Sequence, residues 1–154
     1  MEKKDKFNLI FVCTGNTCRS PMAEYMFKAY LKTKKRQSDF NVQSAGLYAR
    51  RGDVLSATAD EALDALGIKH SAARRAKPFT VMMAEDSDLI VAMTERHAEI
   101  IGDGDVISYD RLIGKPVDDP FGGSLDSYLN CAKAIRSGFD DLLALCDKLA
   151  SQKQ

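Results

Sequence analysis

The chain has 154 residues, 22 basic and 22 acidic side chains, 45% hydrophobic residues and 4 cysteines. A formal net charge of zero supplies no global field for nucleic acid or an anionic membrane, and no apolar run reaches spanning length. The length suits one domain, residues 1–154, with a core of its own, and the cysteines follow neither a disulfide framework nor zinc-site spacing.

Residues 1–6 read as a polar, flexible tail without a secretory core, so a reducing cytoplasm is the expected setting. Residues 7–12, an apolar run, predict the first strand. Apolar side chains repeating every three or four residues predict a helix over residues 21–32, with Pro21 at its first position, where a missing amide hydrogen costs nothing. The charged residues 32–36 read as the solvated end of that helix. A second strand is expected over residues 40–45, ending at Gly46. A helix over residues 57–66 is closed by Gly67. A short helix over residues 78–84 precedes a third strand over residues 88–93, whose continuous apolar run implies burial on both faces. A helix over residues 94–101 and a fourth strand over residues 105–109 follow. Residues 124–149 read as one long helix with Tyr128, Cys131's neighbour Ala132, Ile135, Phe139 and Cys146 along or beside its inner stripe, and residues 150–154 as a frayed end. Alternating strands and helices predict an α/β fold: a single three-layer domain, with a four-stranded parallel sheet and helices on both faces.

The stretch Cys13-Thr14-Gly15-Asn16-Thr17-Cys18-Arg19-Ser20-Pro21 joins the first strand to the first helix. A thiol at a strand end, a glycine-bearing loop and a helix N-terminus make an anion cradle from the backbone amides of residues 14–20. Arg19 adds a planar fork able to grip two phosphate oxygens. The same field favours a negatively charged sulfur, which makes Cys13 a nucleophile suited to attack on a phosphate ester. Asn16 suits a left-handed backbone. Ser20 is placed either to donate its hydroxyl to the Cys13 sulfur or to cap the helix. No metal or organic cofactor is called for. His70 and His97 stand in no motif and read as surface or helix-end histidines. Cys131 and Cys146 lie on the last helix, where Cys146 reads as core.

The loop resembles the phosphate-binding loop of the low-molecular-weight protein tyrosine phosphatases, and Asp119-Pro120-Phe121-Gly122-Gly123 resembles that family's acid loop. The resemblance runs from about Phe7 to about Leu149. It implies strand order 2-1-3-4, which places Cys13 beside the point where the order reverses and where such sheets bind ligands. It implies a phosphocysteine intermediate, with Asp119 as proton donor and then base; Asp118, its neighbour, is an alternative or a solvated carboxylate. It also implies a bond from Asn16 to Ser44 and a protective disulfide between Cys18 and Cys13. Tyr48 and Phe121 are candidate pocket walls. In residues 71–75 an alanine stands where many members place a histidine, so one loop-supporting bond is expected to be missing or replaced.

Tyrosine-specific members mostly carry isoleucine or leucine where this chain has Thr17. Threonine there resembles the bacterial protein-arginine phosphatases, as does a glycine after Phe121. The expected substrates are therefore phosphorylated proteins, with phosphoarginine favoured and phosphotyrosine the alternative, acted on by a monomer without nucleic acid or membrane. Arsenate reductases share the fold, but this chain has no cysteine between Cys18 and Cys131 to relay electrons.

Overall fold

A computed structural model describes residues 5–153. Strand β1 (Phe7–Cys13) sits at the centre of a parallel sheet because both of its faces are apolar. Phe7, Leu9, Phe11 and Cys13 face one core, and Ile10 and Val12 face the other, the period-two alternation of a strand. β2 (Phe40–Gly46) pairs on one side, β3 (Leu89–Ala92) on the other, and β4 (Val106–Ser108) lies outside β3. The sheet order is β2-β1-β3-β4, as the resemblance implied. Residues 1–4 and 154 of the expected tail and frayed end lie outside the described residues.

The larger core joins the sheet to α1 (Arg19–Thr33), α2 (Ala57–Ala65), α6 (Leu125–Arg136) and α7 (Phe139–Gln152). Its centre is aromatic: Phe27 meets Phe11 at 5.9 Å and Phe139 at 5.0 Å, edge to face. The smaller core packs Ile10, Val12, Ala45 and Ile90 under Met83 of α3 (Val81–Asp86) and Ile101 of α4 (Glu95–Ile101). Helices therefore cover both faces, in three layers.

Several boundaries differ from the sequence pattern, each for a tertiary reason. Pro21 is the third residue of α1, not the first, because the loop closes directly into the helix at Arg19. Pro78 is held extended by a bridge to Gly46, and Phe79 N donates to Gly46 O at 2.8 Å, so α3 starts only after Thr80, whose hydroxyl accepts from Met83 N. Tyr109 does not end β4; it opens a short helix, α5 (Tyr109–Ile113), closed by Gly114 at φ 70°.

The long C-terminal helix is two helices. A β-carbon on Gly138 would lie 2.5 Å from Ile113 Cγ2 and 2.6 Å from Tyr109 Oη. The fully buried Tyr109 also donates its hydroxyl to Ile135 O. Tyr109 therefore occupies the space a continuous helix would need, and the chain turns at Ser137 and Gly138 before α7 begins.

Candidate active site

Cys13 is the last residue of β1 and pairs with Gly46 of β2, so the loop of residues 14–18 starts at the carboxyl edge of the sheet. Gly46 was legible only as a strand end, yet the loop lies on it. A β-carbon there would be 2.6 Å from Thr14 O and 2.9 Å from Asn16 N, closer than atoms can approach. Thr14 is exposed, Gly15 and Thr17 are half-buried, and Cys13, Asn16, Cys18, Arg19 and Ser20 are buried.

The Cys13 sulfur lies 2.8 Å from Ser20 Oγ. Ser20 is inside the first turn of α1 and caps nothing, so of its two expected roles the geometry presents the contact to sulfur. Its oxygen also accepts from Asn16 Nδ2 at 2.8 Å. Asn16 holds φ 57°, the left-handed region expected of it. Its amide donates to Ser44 Oγ at 3.0 Å, while its carbonyl oxygen accepts from Lys77 N at 2.9 Å and Arg74 Nη1 at 3.1 Å.

Arg74 supports the loop from residues 71–75, the segment in which the resemblance expects a histidine. Its Nη2 donates to Ser44 Oγ at 2.6 Å and pairs with Glu24 Oε1 at 3.1 Å; Ser44 in turn donates to Glu24 at 2.7 Å. Both members of this ion pair have side chains less than a tenth exposed. Burial alone would raise the Glu24 carboxyl, but the hydrogen bond from Lys28 and the charge of Arg74 outweigh it and hold it below the usual glutamate value.

His97 is not a surface residue. It is buried at the start of α4, with Nε2 2.8 Å from Thr14 Oγ1 and Nδ1 3.0 Å from Thr94 Oγ1. Burial, and then the charge of Arg19, push it down from 6.5 to about 4, so the imidazole is neutral near pH 7. His70 is likewise covered, clasped between Ile68 O at 2.7 Å and Asp60 Oδ1 at 2.6 Å. Burial opposes its protonation, yet these two acceptors outweigh burial and raise it above 6.5. Asp60, Asp64 and His70 bring ligand-type atoms within 4.8 Å of one another, but both His70 nitrogens are engaged and the trio takes no part in the loop's bonds.

Cys18 is held from the other side. Its sulfur lies 3.3 Å from Tyr128 Oη and 3.5 Å from Ser56 Oγ, the residue that caps α2. Burial, then the bond to Cys18, push the Tyr128 hydroxyl up to about 12. Cys131 and Cys146 are buried on α6 and α7, and burial pushes both thiols up to about 12, which suits inert core packing.

Arg19 donates to Val117 O at 3.0 Å, and its Nη2 lies 3.8 Å from Asp119 Oδ2. The Asp119 carboxylate is half exposed, and its Oδ1 accepts from Phe121 N at 3.1 Å. Asp118 is exposed beside it. The two aspartates share with Pro120, Phe121 and Cys131 the lining of a cavity of about 340 Å³. Tyr48 and Phe121, at 69% and 73% exposure, are open aromatic faces and not core.

Arg74, Glu24, His97, Gly46 and Tyr128 were not singled out from the sequence as site residues. Glu24 and Lys28 show an i,i+4 pair that marks a helix face, but nothing local says that the face is buried against β2. Thr94 and His97 show a capping spacing whose second partner, Thr14, is remote in sequence.

The family model described as "Low molecular weight phosphotyrosine protein phosphatase" matches residues 8–154. A protein-arginine-phosphatase of Bacillus subtilis is 38% identical over 146 residues, covering 88% of this chain and 91% of its own length. The low molecular weight protein-tyrosine-phosphatase PtpB of Staphylococcus haemolyticus is 37% identical over 150 residues, covering 92% and 96%. Among solved structures, a cysteine-to-serine mutant of the YwlE arginine phosphatase with a phosphorylated active-site serine superposes with a TM-score of 0.80 at 33% identity, covering 94% of this chain and 96% of its own. A matched model spanning nearly the whole chain, the sheet order and a cysteine–arginine loop at the sheet's carboxyl edge agree: the chain belongs to the low-molecular-weight phosphotyrosine protein phosphatase family of cysteine-dependent protein phosphatases.

Proposed function

We propose that the chain hydrolyses phosphoarginine in proteins through a phosphocysteine at Cys13. The observation that carries the choice of phosphoarginine is Thr17. It is half-buried in the loop, and among the described residues its hydroxyl has only a 3.8 Å contact with the Cys18 sulfur. That hydroxyl remains available to a polar substrate group beside the phosphate. The match to a protein-arginine-phosphatase supports the same reading.

The residues present suit an in-line double displacement. The Cys13 thiolate attacks phosphorus, an S–P bond forms and the P–N bond breaks, and Asp119 gives its proton to the departing guanidine nitrogen. Arg19 and the amides of residues 14–19 hold the equatorial oxygens, where charge is carried throughout transfer. Water then attacks phosphorus, the Asp119 carboxylate takes its proton, and the S–P bond breaks to return the thiolate. The Ser20 hydroxyl, 2.8 Å from that sulfur, stabilises it as it leaves. Asn16 and Ser44 keep the loop in shape, and the open faces of Tyr48 and Phe121 flank the substrate side chain. A nucleophilic thiol with three further free cysteines suits a reducing cytoplasm.

The test is a comparison of kcat/KM on phosphoarginine and phosphotyrosine peptides, for the parent and for Thr17→Ile. Isoleucine deletes the hydroxyl and crowds the rim, so the arginine-to-tyrosine ratio is expected to fall about ten- to a hundredfold. An unchanged ratio removes Thr17 as the determinant and moves phosphotyrosine to first place, which the relation to PtpB supports.

A further inference from the structure

Residues 47–56 are tied to the phosphate loop at both ends. Leu47 N donates to Cys13 O and Tyr48 N to Thr14 O, each at 2.9 Å, and Ser56 N donates to Thr17 O at 3.0 Å. Between those ties the segment is laced to residues 74–76. Leu55 N donates to Arg74 O at 3.0 Å, Ala76 N to Asp53 O at 2.7 Å, and Arg75 Nη1 to Gly52 O at 3.0 Å; Val54 and Arg75 form an antiparallel bridge. The two stretches make one wall beside the cradle.

The wall carries Arg50, Arg51 and Arg75, extended by Lys77 directly after it, all exposed. Among the described residues none of the four is within ion-pair distance of a carboxylate, whereas Arg74 is already engaged by Glu24. Asp53 is the wall's single acid. The acid loop supplies the opposite sign, with Asp118 and Asp119 both exposed. The chain as a whole is neutral, so this is a local separation of charge around one mouth.

We propose that the wall of Arg50, Arg51, Arg75 and Lys77 binds acidic residues that flank the phosphorylated side chain of a protein substrate. The proposal rests on the phosphatase reading above and adds to it a sequence context. Unpaired surface cations anchored to the cradle attract a polyanionic segment toward the loop and repel a basic one, an effect on encounter and register that salt screens. Asp118 and Asp119 repel an acidic segment, so the attraction belongs to the wall's flank alone. Acidic residues on the flank lying toward residues 50–51 are favoured, and acidic residues on the other flank are not.

The experiment uses phosphopeptides, made with phosphoarginine and with phosphotyrosine, that carry Asp/Glu, Gln or Lys on either flank. An aryl phosphate serves as a flank-free control. At low salt, kcat/KM on one acidic-flanked series is expected to exceed the Gln series about tenfold and the Lys series by more, with the difference shrinking as ionic strength rises. The double reversal Arg50→Glu/Arg51→Glu is expected to abolish or invert that order while aryl phosphate turnover stays within about twofold. Equal rates on acidic, neutral and basic peptides, with normal aryl phosphate turnover, overturn the wall and leave the phosphatase reading standing. Failure to turn over the aryl phosphate and both unbiased peptides overturns the phosphatase reading, and the wall's role with it.

Discussion

Arg74 shows how a single side chain can tie three groups together. A guanidinium reaches Asn16 Oδ1, Ser44 Oγ and Glu24 at once, where an imidazole offers two nitrogens. Removing it leaves Glu24 buried with only Lys28 as its cationic partner. Arg74→Ala is therefore expected to destabilise the fold by about 3 kcal/mol, the range for breaking one side of a buried ion pair, measured by urea unfolding. A change below about 0.5 kcal/mol would mean the pair behaves as a solvated one. Cys13, Arg19 and the left-handed Asn16 were legible as one cluster because they lie within a few residues of one another. Arg74 and His97 were not, because each reaches the loop at a sequence separation that local spacing cannot carry, 58 residues from Arg74 to Asn16 and 83 from Thr14 to His97, and Glu24 acts only through Ser44 and Arg74.

Among the elements, strands were the easier reading. β1 and β3 are apolar runs bounded by polar residues, and their burial on both faces follows from their composition. The C-terminal helices were harder. Ile135, Phe139, Leu142 and Cys146 keep a helical spacing straight through the break, so periodicity cannot reveal it. Only Gly138 hints at the turn, and its reason is Tyr109, which arrives from β4. Gly138→Ala forces a methyl group against Tyr109 Oη and Ile113 and is expected to cost about 1–3 kcal/mol, as overpacking does. The measurement is the denaturant midpoint, with the slope unchanged. A neutral substitution would show that α5 yields without loss.

At the scale of the whole molecule, two buried histidines tilt stability in opposite directions with pH. His97 is depressed from 6.5 to about 4 in the folded chain, so between those values the unfolded chain binds more protons. Its contribution is complete above about pH 6.5 and is lost as pH falls toward 4, at most about 3 kcal/mol. His70 is raised, so its contribution is complete below 6.5 and is lost as pH climbs through its folded value. Glu24, lowered from 4.5, adds to the acid-side loss as its own carboxylate protonates. His97→Gln can keep a bond to Thr14 but cannot take the proton. It is expected to flatten the rise of unfolding free energy between pH 4 and 6.5, read from urea titrations at each pH. An undiminished slope would assign the acid limb to the carboxylates.

The Asn16 side chain has no unused capacity: both amide hydrogens and the carbonyl oxygen are taken, and no buried side-chain nitrogen or oxygen among the described residues lacks a partner. The cradle is thus finished before anything enters it. An oxyanion bound by the loop as proposed orders very little chain, so the entropy of shaping the loop belongs to folding and not to binding. The same readiness has a second face. Inorganic phosphate, the product of the proposed hydrolysis, is expected to bind the same loop and to compete with substrate for it.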